Sequence, residues 1–84
     1  MNSLAIYPNP ASDVLYLELN QNNLKQVRVD IIDVKGQILQ NYKYPTNGNQ
    51  FKENIDISRI PKGIYILRVG SDDNVNYLKL VIER

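Results

Sequence analysis

The sequence predicts an all-β domain, an antiparallel sandwich or barrel of seven short strands. Val, Ile, Leu and Tyr recur in short runs that alternate with polar residues, which is the period of a half-buried strand. Turn-forming residues interrupt these runs roughly every eight to twelve positions. No window combines apolar residues at helical spacing with capping residues. The length of 84 residues allows one domain with one thin core.

Seven strands are predicted, at residues 4–7, 14–19, 25–33, 37–44, 50–57, 64–69 and 75–83. Pro8-Asn9-Pro10 ends the first strand, because each proline removes a backbone donor. A polar turn at 20–23 separates the second strand from the third. The inward positions of these two strands are Leu15, Leu17, Leu19, Val27, Val29 and Ile31. Arg28 and Asp30 then lie on the wet face of the third strand.

Glycine, proline and asparagine separate the next strands. Gly36 is expected in a tight hairpin, because glycine readily adopts positive φ. The fourth strand is polar, which is typical of an edge, and Pro45 is expected to end it. An Asn-Gly pair at residues 47–48 predicts another turn. Residues 58–63 form a connection from which Ile60 is expected to fill the core.

The last two strands are predicted to form a hairpin around a turn at 71–74. The sixth strand is apolar on both faces, which predicts a central position, and Tyr65 is expected to enter the core with its hydroxyl at the rim. In the seventh strand, the inward residues are Leu78, Leu80 and Ile82. Its outward residues are Tyr77, Lys79, Val81 and Glu83.

Composition excludes most catalytic and metal chemistry. Without cysteine or histidine, the chain lacks a thiolate, an imidazole base and the usual ligands of zinc, haem and iron–sulfur clusters. The net charge of +1 argues against a nucleic-acid partner. No apolar run approaches the roughly 20 residues of a spanning helix, and the acidic turn at 72–74 lacks EF-hand spacing. We therefore expect no enzyme, no cofactor and no metal site.

Tyrosine is the one compositional excess that suggests binding. Tyr16, Tyr42, Tyr44 and Tyr77 are predicted to point outward, where aromatic rings can stack on sugars or on a partner. Tyrosine is also a common strand residue at half-wet positions. A carbohydrate- or surface-binding module therefore stays open as an alternative, beside a purely structural role for these residues.

Four segments carry a family resemblance when they are taken together and in order. They are residues 4–15 with the Pro8-Asn9-Pro10 corner, residues 29–37 with a hairpin glycine, residues 55–69, and residues 78–82. They resemble the opening, the strand–turn segment, the "L-S-x-L-x-x-G-x-Y" segment and the "K-L-V-I" ending of the C-terminal sorting domain of type IX secretion, found in Bacteroidetes-type bacteria. The resemblance covers essentially all of residues 4–84.

This resemblance implies an immunoglobulin-like β-sandwich of about seven strands and a non-enzymatic role. Residues 1–84 are then a single sorting domain, with residues 1–3 as a linker, from the C-terminus of a larger secreted protein. The implied protein partners are the outer-membrane translocon, a surface sortase and an upstream cargo in the same chain. The implied route leads through the periplasm to the cell surface or the medium. Ile57 and Ile60 depart from the family's leucines, a change that conserves core volume.

The candidate residues of the family motifs and of translocon recognition are Pro8, Asn9, Pro10, Gly36, Gly63, Tyr65, Lys79, Leu80, Val81, Ile82 and Arg84. We expect the terminal strand and its hairpin partner at 63–69 to form the recognised surface, with the last strand pairing to a receptor by its edge. The same open edge would allow an edge-strand dimer. An immunoglobulin-like structural spacer is the remaining alternative.

Overall fold

In the computed structural model, which describes residues 3–84 apart from the side chain of Asn47, the described chain forms five strands and no helix. The strands are β1 (Ser3–Tyr7), β2 (Val14–Ile32), β3 (Ile38–Asp56), β4 (Gly63–Ser71) and β5 (Asn74–Ile82). Of the predicted linker at 1–3, only Ser3 is described, and it begins β1. Nothing helical within residues 3–84 has the length and apolarity needed to cross a membrane.

All five strands belong to one antiparallel sheet with β2 at its centre. β1 pairs with the first half of β2, and β4 pairs with its second half. β3 follows β2 over most of its length, and β5 pairs with β4 along residues 74–82. The prediction that the sixth strand is central is confirmed, because β4 lies between β2 and β5.

The prediction of an all-β antiparallel fold is confirmed, but a sandwich of seven strands is not. β2 contains the second and third predicted strands, and β3 contains the fourth and fifth. Pro45 does not end a strand, and it lies opposite Gln26 within the β2–β3 ladder. Because the only strand that β3 pairs with is β2, it tolerates a residue without a backbone N–H.

The segments predicted as turns, 20–23 and 46–49, lie opposite each other inside β2 and β3, although Asn23 has a positive φ of 56°. Asn20 pairs with Gln50 and Leu24 pairs with Gly48, so β2 places more residues in this interval than β3 does. Gly48 has a positive φ of 113°. The residues that predict turns therefore form an irregularity inside two continuous strands, as in a β-bulge.

This irregularity bends both long strands. A straight strand of 19 residues would be about 60 Å long, whereas the longest dimension of the molecule is 36 Å. The two halves of β2 and β3 must therefore fold towards each other, which gives a curled sheet. Leu24, at the bend, is only 2% exposed and closes the core at this end.

The core lies on the concave side of the curled sheet and is assembled from every strand. Its buried side chains are Ala11, Leu15, Leu17, Leu19, Leu24, Val27, Val29, Ile31, Phe51, Ile55, Ile57, Ile60, Tyr65, Leu67, Val69, Leu80 and Ile82, with Leu4, Ile6 and Leu78 partly buried against them. The inward assignments made from alternation are thus confirmed, as is the placement of Ile60 in the core from a loop.

The outward prediction is wrong for two of the four tyrosines. Tyr42 pairs with Val29 and Tyr44 pairs with Val27, so both rings share the inward face of the sheet. Both are partly buried against the core, and burial raises the pKa of each hydroxyl. The register of β3 against β2 decides this orientation. Tyr16 and Tyr77 are exposed, as predicted.

Candidate functional site

The side chain of Asn9 binds the backbone of β5 as a strand residue would. Its Nδ2 donates to the carbonyl oxygen of Lys79 at 2.9 Å, and its Oδ1 accepts from the amide of Val81 at 3.0 Å. Pro8 and Pro10 flank it, and both peptide bonds that precede these prolines are cis. The proline corner and the C-terminal strand, about 70 residues apart in sequence, therefore form one contact.

The backbone of Ala11 continues this contact along the same edge of β5. The amide of Ala11 donates to the carbonyl of Val81 at 2.8 Å, and the amide of Glu83 donates to the carbonyl of Ala11 at 2.8 Å. The two segments form a short parallel bridge between Ala11 and Ile82. Sequence reasoning did not single out Ala11, although a small buried residue directly after the proline corner is a usable signal.

Arg84 binds the connection between β3 and β4. Its guanidinium donates to the carbonyl oxygens of Ile57 at 2.6 Å and Ile60 at 2.7 Å. Its Nε lies 3.1 Å from the carboxylate of Asp13. Asn9, Ala11, Val81 and Arg84 form a hydrogen-bonded group that joins the segment after β1 to the C-terminal strand β5. We call this group the closing cluster.

Gly63 and Tyr65 lie beside this cluster at the start of β4. Gly63 has a φ of 155°, which disfavours a side chain, and the ring of Tyr65 packs over it at 3.6 Å from the position of a Cβ. The Tyr65 hydroxyl donates to the carbonyl of Pro61 at 2.5 Å. Tyr65 is 7% exposed, so its ring is in the core and its hydroxyl at the rim, as the sequence predicts.

The four candidate residues of β5 divide between the two faces of the sheet. Leu80 and Ile82 are buried in the core. Lys79 is exposed and Val81 is half-buried, and both lie on the outer face. A partner that approaches the folded domain can therefore contact Lys79 and Val81 but not Leu80 or Ile82.

Gly36 lies apart from the closing cluster, in the turn between β2 and β3. Its φ of 88° fits the prediction of a positive-φ hairpin glycine. The Oδ1 of Asp33 accepts hydrogen bonds from the amides of Lys35 and Gln37, each at 2.9 Å. The sequence analysis missed this role of Asp33, for which an Asp three residues before a hairpin glycine is the available signal.

The free edge of β5 is short. Residues 81 and 83 turn backbone groups towards Ala11 and Asn9, and alternation along a strand gives Val75 and Tyr77 the same outward orientation. Within residues 3–84 no hydrogen bond is found to the outward backbone groups of Val75 and Tyr77. Edge pairing by a partner is thus restricted to the first half of β5.

Asp30 is the largest departure from the predicted surface. It was expected on a wet face, yet it is 3% exposed. Burial alone would raise the pKa of its carboxyl, but hydrogen bonds from Asn41 and Arg68 and the charges of Arg68 and Arg28 outweigh burial and lower that pKa. The Arg68 Nη2 lies 2.7 Å from Asp30 Oδ2. The pairing of Asp30 with Arg68 follows from register, which alternation does not reveal.

The acidic turn at 72–74 is used for backbone capping. The Asp72 carboxylate accepts hydrogen bonds from the amides of Lys25 and Gln26, at 3.2 Å for each nearest oxygen. Within the described part of the chain, no three acidic side chains come together as they would around a metal ion.

The candidate functional features are a hydrogen-bonded closure, an outer face and a short open edge.

A family model described as the secretion system C-terminal sorting domain matches residues 5–83. The match extends from β1 through β5 and includes all the candidate residues except Arg84, which lies one position beyond it. No curated protein matches the chain.

Proposed function

Because the chain belongs to the family of type IX secretion C-terminal sorting domains, we propose that it is a non-catalytic signal that carries an upstream cargo across the outer membrane. The family match over residues 5–83 is the observation that carries this proposal. In this account residues 1–84 are one domain of a larger secreted protein from a Bacteroidetes-type bacterium. The protein passes through the periplasm to the surface or the medium. A surface sortase then removes the domain, and the cargo is attached to lipopolysaccharide or released.

The geometry supports a division of roles among the motif residues. Asn9 and Arg84 make hydrogen bonds inside the domain, and Tyr65, Leu80 and Ile82 are buried. We assign Asn9 and Arg84 to folding because their polar groups already bind the domain's own backbone. We assign the other three to folding because a receptor cannot reach a buried side chain without opening the core. Pro8, Pro10, Gly36 and Gly63 set the backbone of corners and turns in the same account.

The translocon contact is then assigned to the outer face of the terminal hairpin. Lys79 and Val81 point outward there, and the neighbouring edge at Val75 and Tyr77 has open backbone groups. A receptor strand that pairs with this edge would gain main-chain hydrogen bonds and would read outward side chains for specificity. The edge offers the same contact to a second copy of the chain, which is the edge-strand dimer expected from the sequence.

The secretion role is tested by fusing residues 1–84 to the C-terminus of a periplasmic reporter in a type IX-competent host. We expect reporter activity in the medium or on the surface, and the unfused reporter should remain in the periplasm. A folded fusion that stays in the periplasm would sink the proposal.

The recognised surface is tested with outward substitutions, because deletion of residues 77–84 would also remove Leu80 and Ile82 from the core. The double variant Lys79→Glu, Val81→Glu should reduce export of the fusion while its thermal unfolding midpoint stays near that of the wild type. Lys35→Glu, an exposed lysine in the turn between β2 and β3, is the matched control. Normal export of the folded double variant would show that the translocon does not bind the outer face of the terminal hairpin through Lys79 and Val81.

A carbohydrate- or surface-binding module is retained as the second candidate, on the observation of exposed aromatic rings. Tyr7 and Tyr16 stack with centroids 5.5 Å apart on the outer face, and Tyr77 is 65% exposed. This alternative expects saturable binding of the isolated chain to a glycan panel, weakened by Tyr16→Ala or Tyr77→Ala. A structural spacer is the third candidate, and it expects neither glycan binding nor export of a fused reporter.

A further inference from the structure

A cleft of about 230 Å³ lies on the outer face of the second half of β2, with β4 and β5. We call it the Gly70 cleft, and the residues that line it are Arg28, Asp30, Arg68, Gly70, Val75 and Tyr77. It is formed by neighbouring cross-strand pairs, since Arg28 lies opposite Gly70 and Gly70 lies opposite Val75. None of its lining residues belongs to the closing cluster.

More positive than negative side chains lie around this cleft, and two of the positive ones form a cross-strand pair of like charges. Arg28 lies directly opposite Lys43 on its other side, and like charges in opposite positions destabilise a sheet. Two carboxylates lie near Arg28, and both are already bound. Asp30 is bound by Arg68 and Asn41. Asp72, which borders the adjoining depression with Arg28 and Gly70, accepts hydrogen bonds from the amides of Lys25 and Gln26. Within residues 3–84 no ion pair to Arg28 is found. Its charge acts on the Asp30 carboxyl, which Arg68 already binds.

Gly70 forms an open position in the floor of the cleft. It lies in the interior of β4, where a glycine weakens a strand and commonly marks a place where a ligand or another backbone approaches. Its φ is not positive, and a Cβ at this position would meet only the Cβ of Arg28 at 3.8 Å and the carbonyl of Asn74 at 3.9 Å. The fold thus does not require glycine here, and its absence of a side chain leaves room above the sheet.

We propose that the Gly70 cleft is a binding site for a carboxylate side chain of an acidic protein segment. The carboxylate lies above Gly70 and accepts hydrogen bonds from the Arg28 guanidinium, whose flat fork matches two carboxylate oxygens. Arg68 is fixed beside it by Asp30, through bonds from Nε and Nη2. The inference goes beyond the secretion role and does not rest on it.

The charge of the cleft favours a carboxylate over a phosphate. Its two guanidiniums and one carboxylate leave a single positive charge, which matches the charge of one Glu or Asp side chain. A phosphate group carries a charge of about −1.5 to −2, which exceeds the single positive charge of the lining. The Asp30 carboxylate would therefore repel a phosphate more strongly than it repels a carboxylate. The exposed Val75 side chain also gives the rim an apolar part, which suits the flanking residues of a peptide more than free phosphate.

The test is a titration of the 15N-labelled chain with a blocked peptide, acetyl-Val-Thr-Glu-Thr-Val-amide, followed by amide chemical shifts. Its glutamine analogue and inorganic phosphate are the comparison ligands. We expect saturable shifts at Gly70, Arg28 and Val75 with the glutamate peptide alone. Arg28→Gln should raise the dissociation constant about tenfold, whereas Lys62→Gln, an equal charge change in an exposed loop, should alter it less than about twofold.

A second variant, Gly70→Val, keeps every charge but fills the floor of the cleft. It should weaken peptide binding about as much as Arg28→Gln does, if it remains folded. If it unfolds, the comparison of Arg28→Gln with Lys62→Gln decides alone. The proposal is overturned by the absence of saturable shifts, by equal binding of the glutamine analogue, by equal effects of the two charge variants, or by phosphate producing the same shifts more tightly than the peptide.

Discussion

Asn9 shows how a single side chain can replace a strand. Its amide donates to Lys79 and accepts from Val81, which are the groups that a neighbouring backbone would bind. The two flanking prolines have no N–H to offer, so the side chain supplies the donor that the backbone lacks. Within the folded domain, Asn9 thus joins the proline corner at residues 8–10 to the last strand.

Replacing Asn9 should weaken this closure measurably. Asn9→Ala removes both hydrogen bonds and should lower the free energy of unfolding by about 1–2 kcal/mol. Asn9→Asp keeps the acceptor for Val81 but sets a carboxylate oxygen against the carbonyl oxygen of Lys79. This repulsion should make its effect at least as large. Urea unfolding measures both, with Asn54→Ala, an exposed asparagine on β3, as the control. An Asn9→Ala protein as stable as the control would contradict this role.

Asp30 should make the stability of the domain depend on pH. Its carboxyl has a lowered pKa in the folded protein, so the carboxylate contributes stability above its ordinary pKa of about 3.9. That contribution is lost as the pH falls through the folded pKa. Asp30→Asn should therefore cost about 1 kcal/mol near pH 7, since Arg68 is partly exposed and loses only part of its support.

The pH dependence is measured by urea unfolding of both proteins between about pH 7 and pH 2. The stability gap between wild type and Asp30→Asn should narrow below about pH 4. Asp73→Asn, in an exposed turn, provides the control and should not change the stability appreciably. A gap that stays constant with pH would show that the loss comes from shape rather than from the charge of Asp30.

At the scale of elements, β5 is held unequally along its length. The backbone N–H and C=O groups of its even-numbered residues point towards β4. Those of its odd-numbered residues point towards the outer edge of the sheet. The amides of Val81 and Glu83 donate to Asn9 and Ala11, whereas the outward backbone groups of Val75 and Tyr77 have no hydrogen-bond partner within residues 3–84. The strand therefore has a covered half and an open half.

Amide hydrogen exchange should reveal this division residue by residue. We expect slow exchange at Val81 and Glu83 and fast exchange at Val75 and Tyr77, although all four belong to or adjoin the same strand. The Asn9→Ala variant should speed exchange at Val81 and leave Val75 unchanged. Uniform protection along the odd-numbered positions would contradict the open edge.

β2 and β3 explain why strand number is hard to predict here. The alternation of apolar residues located both halves of β2 and of β3 but not the segments that join them, because burial imposes a period of two on each half. The polar residues at 20–23 carry turn chemistry, and the sequence does not state that they will lie opposite residues 48–50 inside a ladder. The bulge uses the same asparagine and glycine preferences as a turn, so local chemistry cannot separate the two outcomes.

At the scale of the whole molecule, the sequence predicted individual residues of the candidate site but not the contacts that bring them together. The motif residues could be read from the chain, and the inward side chains of β5 followed from alternation. Contacts between residues 9–11 and residues 79–83 depend on long-range pairing that has no local signal. The inward Tyr44 and the buried Asp30 have the same cause, since both follow from which residue lies opposite them.

The two sides of the sheet differ in whether their side chains contact the domain itself or are exposed. The concave side and the closing cluster are occupied by contacts that the domain makes with itself. The outer face of β4 and β5 and the open half of the terminal edge are exposed, as are Tyr7 and Tyr16 on the outer face of β1 and β2. A domain whose motif residues bind its own backbone and whose outer face is exposed is compatible with a type IX sorting signal.

The most direct test of the sorting role compares export of the same reporter–domain fusion in two strains that differ only in the type IX translocon. The account predicts that the fraction of reporter outside the cell is high in the competent strain and falls to the level of the unfused reporter in the strain without the translocon. Export that is equal in both strains, or absent from both while the fused domain is folded, would contradict it.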